Sequence, residues 1–350
     1  MPRKEAALNG IAFCGLAIYL VLGAISFYTF VEPSLNGTNG WHFNPDVQKY
    51  MDLADSMREN GAREETAAVI SLARNMIMPA YVGLVLQTAA HIAIFNVALF
   101  LLALGILAWT FSQLKWYVFL PIILLYPNTY EALWTLNKEI FVFLSAVVMT
   151  RWFKTRSSAL MIFIIPLSMV LRWEQAFVIL YFLVLLWLKV SPKRAVAILI
   201  IGISLVYPFA MASVDVGGDV RESSSSALYA HINKVQSYGL YFALLVPKIV
   251  IVFLSQVVRF WTPFINTERL HDLHTGLFVL FEQLSICFVF IVSLCKRLWV
   301  KENPVIYFVL VYAVIYLSAP ENSPRYLYFL FVLIVAVLSS PELQSLRLPQ

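Results

Sequence analysis

From Ala6 to Val31 the chain carries no charged residue, and a run of that length can cross the hydrocarbon core of a bilayer as one helix. It is too long for the core of a signal peptide and lacks an A-x-A cleavage site, so it reads as a retained helix. Further apolar runs recur at 80–111, 115–133, 139–153, 157–171, 175–189, 195–212, 276–295, 304–319 and 325–340. The fold expected is therefore all-α, a polytopic transmembrane helical bundle of about ten spans. Several runs lie near the lower length limit for a span, which suggests short helices packed on protein and a thinned core. Only 13% of residues are charged, about half the share of an ordinary soluble domain. Residues 1–350 thus read as a single integral membrane domain. Its polar stretches are a first outer loop at 32–78, with juxtamembrane helices, and a second at 213–275, with an amphipathic or re-entrant segment at 240–260.

Charge sets the orientation. With 240–260 counted as non-spanning, one set of loops holds 13 basic residues against three acids, and the other side keeps 12 basic residues and 17 acids. The positive-inside rule makes the first side cytoplasmic and puts both termini there. The basic loops are too short for a nucleotide-binding domain, and no glycine-rich phosphate loop exists. No nucleic-acid partner is expected. Cys14, Cys287 and Cys295 all lie in apolar runs and read as small core residues rather than a disulfide framework or metal site. The compact loops favour a bacterial inner membrane.

The outer side gathers the chemistry-bearing residues. In "HFNPDVQKYMDLADSMRENG", Asn44 suits an N-cap, Pro45 the first helical position and Asn60-Gly61 a stop, predicting a helix over 45–59. Asp46 and Tyr50 share a face of it. Asp46 reads as a base, or more plainly as a partner for the helix dipole; Asp52 and Asp55 read as solvated. In "NKE", Lys138 can aim at an anion with Glu139 orienting it, or can simply snorkel. In "LRWEQ", Arg172 and Glu174 can pair with each other or line a site. Arg259 sits in "VVRFWTPF", an interface-anchor composition. Glu321 and Arg325 flank the turn "APENSPRYLYFL". A phosphate at the membrane edge would be clamped by such cations, and the carboxylates would hold them in place.

This pattern resembles the C-type (GT-C) superfamily of integral membrane glycosyltransferases, of the bacterial polysaccharide-cluster type. "NPDVQKYMDLA" looks like the aspartate-bearing juxtamembrane helix of the first outer loop. "NKEIFVFLSAVV" looks like a lysine-glutamate helix mouth, and "SPRYLYFLFVLI" like the arginine-tyrosine that opens a late helix. The resemblance implies a polyprenyl-phosphate-linked sugar as donor and a glycan, lipid or protein acceptor. It makes Asp46 the base for the acceptor hydroxyl. Arg325, Lys138, Arg172 and Arg259 would bind the departing lipid phosphate, and Tyr50, Glu139, Glu174 and Glu321 would orient them or the acceptor. The family's paired first-loop acids are absent here, since Asp46 follows Pro45.

The chemistry of such a transfer needs a base at the acceptor oxygen and fixed cations for the developing phosphate charge; single attack inverts the anomeric centre. It calls for no cofactor. A divalent metal stays open, with His271-Asp272-x-His274 as ligand types, although a solvated loop is the plainer reading there. Two rivals are a lipid-linked polysaccharide polymerase and a lipid-linked sugar transporter or flippase. A third is a non-catalytic assembly subunit. For the transporter, His91 and Glu282 are the polar residues inside apolar runs, while discontinuous helices with internal repeats are not evident. The enzyme reading expects Asp46, Lys138, Arg172 and Arg325 to face one outer cavity.

Overall fold

The computed structural model describes residues 2–35, 45–63, 65–66, 76–213, 270–300, 303–318 and 327–348, with a few isolated positions between 235 and 247. Most of the described residues are helical, with no strand among them. Helix α1 (Pro2–Ser26) runs on through a π turn at Phe27–Val31 and a last turn at Glu32–Leu35. Then come α2 (Pro45–Asn60), α3 (Ile77–Leu86), α4 (Ala89–Thr110), α5 (Trp116–Leu125), α6 (Pro127–Trp134) and α7 (Glu139–Thr155). The remainder are α8 (Ser158–Leu171), α9 (Trp173–Trp187), α10 (Pro192–Ser213), α11 (Leu270–Cys295), α12 (Pro304–Ser318), α13 (Tyr328–Ser339) and α14 (Pro341–Gln344).

Among the described residues, two helical stretches are long and apolar enough to cross a membrane, Lys4–Val31 and Ala89–Thr110. The pair α6 and α7 adds a third if it is one span, bent by 114° at its break. Seven further apolar helices have 10–17 residues. Among the described residues the fold is thus an all-α bundle with up to three candidate spans, where about ten were read from the whole sequence.

Two of the sequence runs are subdivided, each by identifiable local chemistry. The 80–111 run breaks at Gln87, which is left-handed with φ 59°, and restarts where Thr88 caps α4 by accepting from the His91 N–H. The 115–133 run breaks at Tyr126. Pro127 follows it and holds it extended, at φ −77°, ψ 119°, because a residue before proline is disfavoured in the helical region. Between α6 and α7, residues 135–138 turn the chain by 114°, at the gap between the runs 115–133 and 139–153. The tract His271–His274 lies inside α11 rather than in a loop; its side chains lie outside the described residues.

Helices α7 and α13 form the centre. Nearly every residue of both is buried, as expected for helices apolar all round. Helix α7 packs on α4, α8 and α13, and α13 also meets α5, α11 and α12. The cysteines are not core residues: Cys14 and Cys295 are exposed and Cys287 is half-buried.

One end of the bundle collects the basic loops. Lys154 reaches Glu342 and the Thr110 carbonyl. Ser112 and the Gln113 N–H also donate to Glu342, Asn303 donates to the Leu343 carbonyl at 2.7 Å, and the Tyr307 hydroxyl donates to the Val190 carbonyl. Loops that share a charge sign in the sequence therefore share an end in the fold.

Candidate functional site

The opposite end is organised by the break between α6 and α7. Thr135 ends α6 in extended conformation, and its hydroxyl donates back to the Glu131 carbonyl at 2.7 Å. Asn96 of α4 donates to the Thr135 carbonyl at 2.8 Å, so a helix end is satisfied from a neighbouring element. Leu136 packs with Val47 and Tyr50 of α2 and with Ile92 of α4. Lys138 follows, only 2% exposed, and its carbonyl accepts from the Val142 N–H to start α7.

Glu139 is the first residue of α7, where a carboxylate suits the helix dipole. Its Oε1 accepts from Arg172 Nη2 at 2.8 Å, with the side chains 1% and 7% exposed. Arg172 sits in the one-residue link between α8 and α9 and also interacts with the Tyr312 hydroxyl of α12. Glu139 Oε2 is buried without a hydrogen-bond partner. One turn further along, Gln175 donates to Ser168 at 3.1 Å and Ser145 at 3.3 Å. These bonds tie α7, α8 and α9 together just beneath the ion pair.

A second polar group lies at the other end of α6. Glu282 of α11, 4% exposed, accepts from Asn128 Nδ2 at 2.8 Å and from the Tyr126 hydroxyl at 3.2 Å. The Tyr126 ring stacks on Tyr328 and Phe331, with centroids 5.4 and 4.1 Å away, and the Tyr328 hydroxyl shares a hydrogen bond with Thr129 at 2.9 Å. Both Tyr126 and Tyr328 lie within electrostatic reach of Glu139. Polar groups thus follow α6 from Glu282 at its start to Glu139 beyond its end.

The structure pairs Glu139 with Arg172, and Lys138 precedes Glu139 at the start of α7. Tyr50 is 2% exposed and packs on Leu136, two residues before Lys138. The predicted α2 is present, ended by Gly61 at φ 98°. Asp46 occupies its first turn, one turn before Tyr50, and its side chain lies outside the described residues. So do Arg259, Glu321 and Arg325, and nearly all of 240–260. Glu174 is exposed. Asp52 and Asp55 are exposed, and Asp55 pairs with Arg58 at 2.6 Å. Lys138 and Arg172 are buried rather than facing an open cavity. A surface hollow of about 530 Å³ is apolar and lined by Phe177, Leu180, Tyr181, Leu183, Val184 and Trp187 of α9. Among the described residues no three His, Cys, Asp or Glu side chains group as metal ligands.

The sequence reading passed over Tyr126, Asn128, Thr129 and Tyr328. The signal was "YPNT" at a proline-broken helix, together with one unexplained glutamate in an apolar run. No protein-family model, curated protein or solved structure matches this chain.

Proposed function

We propose that this chain is an integral membrane glycosyltransferase of the GT-C type. It would move a sugar from a polyprenyl-phosphate donor to a hydroxyl of a glycan, lipid or protein acceptor. The observation that supports this reading is that the α2 helix carrying Asp46 packs through Val47 and Tyr50 on Leu136, in the turn that leads into Lys138 and the Glu139–Arg172 pair. On this reading Asp46 is the base, a role worth roughly 10²–10⁴-fold in rate. Lys138 is the cation that meets the donor phosphate, exchanging its present contact for the ligand, with Arg259 and Arg325 completing the clamp. Arg172, already held by Glu139, positions the helix mouth. The reading carries with it ten spans, a bacterial inner membrane, termini on the cytoplasmic side and the site on the outer side.

The test is sugar transfer from a radiolabelled polyprenyl-phosphate donor pool in membranes, comparing wild type, Asp46→Asn and Lys138→Ala at matched expression. Transfer is expected to fall at least ~10²-fold in Asp46→Asn, with donor binding retained there and weakened in Lys138→Ala. Undiminished transfer in both variants overturns the proposal.

One observation favours a second reading, a lipid-linked sugar transporter. Transporter sites use discontinuous helices and intramembrane carboxylates, and α6 lies between two breaks with Glu282 bonded at its start. In that case Glu282→Gln abolishes movement of the lipid-linked sugar across the bilayer, while Asp46→Asn leaves it intact.

A further inference from the structure

Three helices that end at the basic face stop in the same unusual way. Arg156 after α7, Lys189 after α9 and Arg297 after α11 have φ of 55°, 51° and 51°. Among the described non-glycine residues, only Gln87 otherwise has positive φ. This left-handed position after a helix is ordinarily filled by glycine, because a Cβ strains it. The stop itself is well made. After α9 the Val190 N–H reaches the Leu185 carbonyl at 3.0 Å and the Lys189 N–H reaches the Leu186 carbonyl at 3.1 Å. The corresponding Arg297 N–H reaches the Leu294 carbonyl at 2.8 Å. The backbone geometry thus suits glycine, while the residues present are three exposed cations.

Aromatic rings mark the same level. The Arg156 guanidinium lies 4.9 Å from the Trp152 ring and Arg151 lies 3.9 Å over Trp109. Trp109 and Trp187 are 77% and 80% exposed. Exposed indoles beside cations at the ends of apolar helices are the composition of a membrane interface at headgroup depth. Cations at that depth are attracted by anionic lipids.

We propose that Arg156, Lys189 and Arg297 form a binding surface for anionic phospholipid headgroups at the basic end of the bundle. The inference is independent of the glycosyl-transfer reading. A role limited to the helix dipoles would act without regard to lipid, and glycine substitution separates the two cases, because glycine keeps the left-handed stop while the charged side chain is removed.

The experiment compares thermal unfolding of the full chain in vesicles of phosphatidylcholine, with and without an equal part of phosphatidylglycerol. Wild type is set against the triple variant Arg156→Gly, Lys189→Gly, Arg297→Gly. Wild type is expected to gain several degrees in the anionic vesicles. The triple variant should lose most of that gain while unfolding in phosphatidylcholine at or above the wild-type temperature. The proposal is overturned if the variant keeps the full anionic gain, if wild type shows none, or if the variant is destabilised equally in both lipids. A wild-type gain from inorganic phosphate in phosphatidylcholine alone would equally overturn lipid as the occupant.

Discussion

Arg172 Nη2 lies 2.8 Å from Glu139 Oε1 although 33 residues separate the two in the chain. The pair joins the start of α7 to the link between α8 and α9, and both side chains are almost fully buried. Glu139→Ala leaves a buried guanidinium without its carboxylate and is expected to cost about 3–5 kcal/mol. The double change Glu139→Leu with Arg172→Met removes both charges and should be far less costly than the single one. Unfolding of the detergent-solubilised variants, read as a double-mutant cycle, checks this. A cost for Glu139→Ala below about 1 kcal/mol would be that of an exposed pair and would contradict the burial.

Gly23 allows α1 to lie against α6. A Cβ at Gly23 would stand 2.5 Å from Trp134 Nε1 and 2.6 Å from Cε2, and an indole held at 6% exposure has little room to withdraw. Gly23→Ala is expected to destabilise by about 1–3 kcal/mol. Gly10→Ala on the same helix meets nothing within 4 Å, and by helix propensity it should be neutral or stabilising by up to about 1 kcal/mol. Thermal unfolding of the two variants side by side tests the close approach, and equal effects would refute it.

What the sequence made legible follows from how local each signal is. Pro45 and Asn60-Gly61 bracket α2 because capping chemistry depends on a few adjacent residues. The basic loops sort to one end because apolar runs alternate in direction. Longer-range pairing was not legible. Arg172 and Glu174 are close in sequence, yet Arg172 lies in the extended link before α9, and a carboxylate 33 residues away on another helix, Glu139, bonds it. Hydropathy also cannot tell a core face from a lipid face, since both are apolar; Cys14 and Cys295 therefore read as core and prove exposed. The junction at Tyr126 was written in Pro127, but the partner it holds, Glu282, lies 156 residues away.

The Glu282 site predicts a graded response. Asn128→Ala removes a 2.8 Å donor from a buried carboxylate and is expected to cost about 1.5–3 kcal/mol, the range for a hydrogen bond to a charged group. Glu282→Gln replaces the carboxylate by an amide of similar shape and should cost less than Asn128→Ala. Unfolding of both variants in one detergent decides the order. The reverse order would mean that the charge on Glu282 matters more to the fold than its bond to Asn128.

Glu342 ties the last described turn to the basic end, and it gives a pH signature. Burial by itself would raise its carboxyl. Hydrogen bonds from Lys154, the Gln113 N–H and Ser112 outweigh that and hold it below the ordinary 4.5. A carboxyl lowered in the folded state contributes stability that is fully present above its unfolded value and is lost as pH falls through the folded one. Wild type should therefore lose unfolding temperature on acidification below about pH 4.5 more steeply than Glu342→Gln. Near neutrality the variant should sit lower, and the gap should close in acid. Unfolding temperatures of both proteins across that interval give the comparison, and parallel curves would show that the Lys154–Glu342 contact does not stabilise the folded chain.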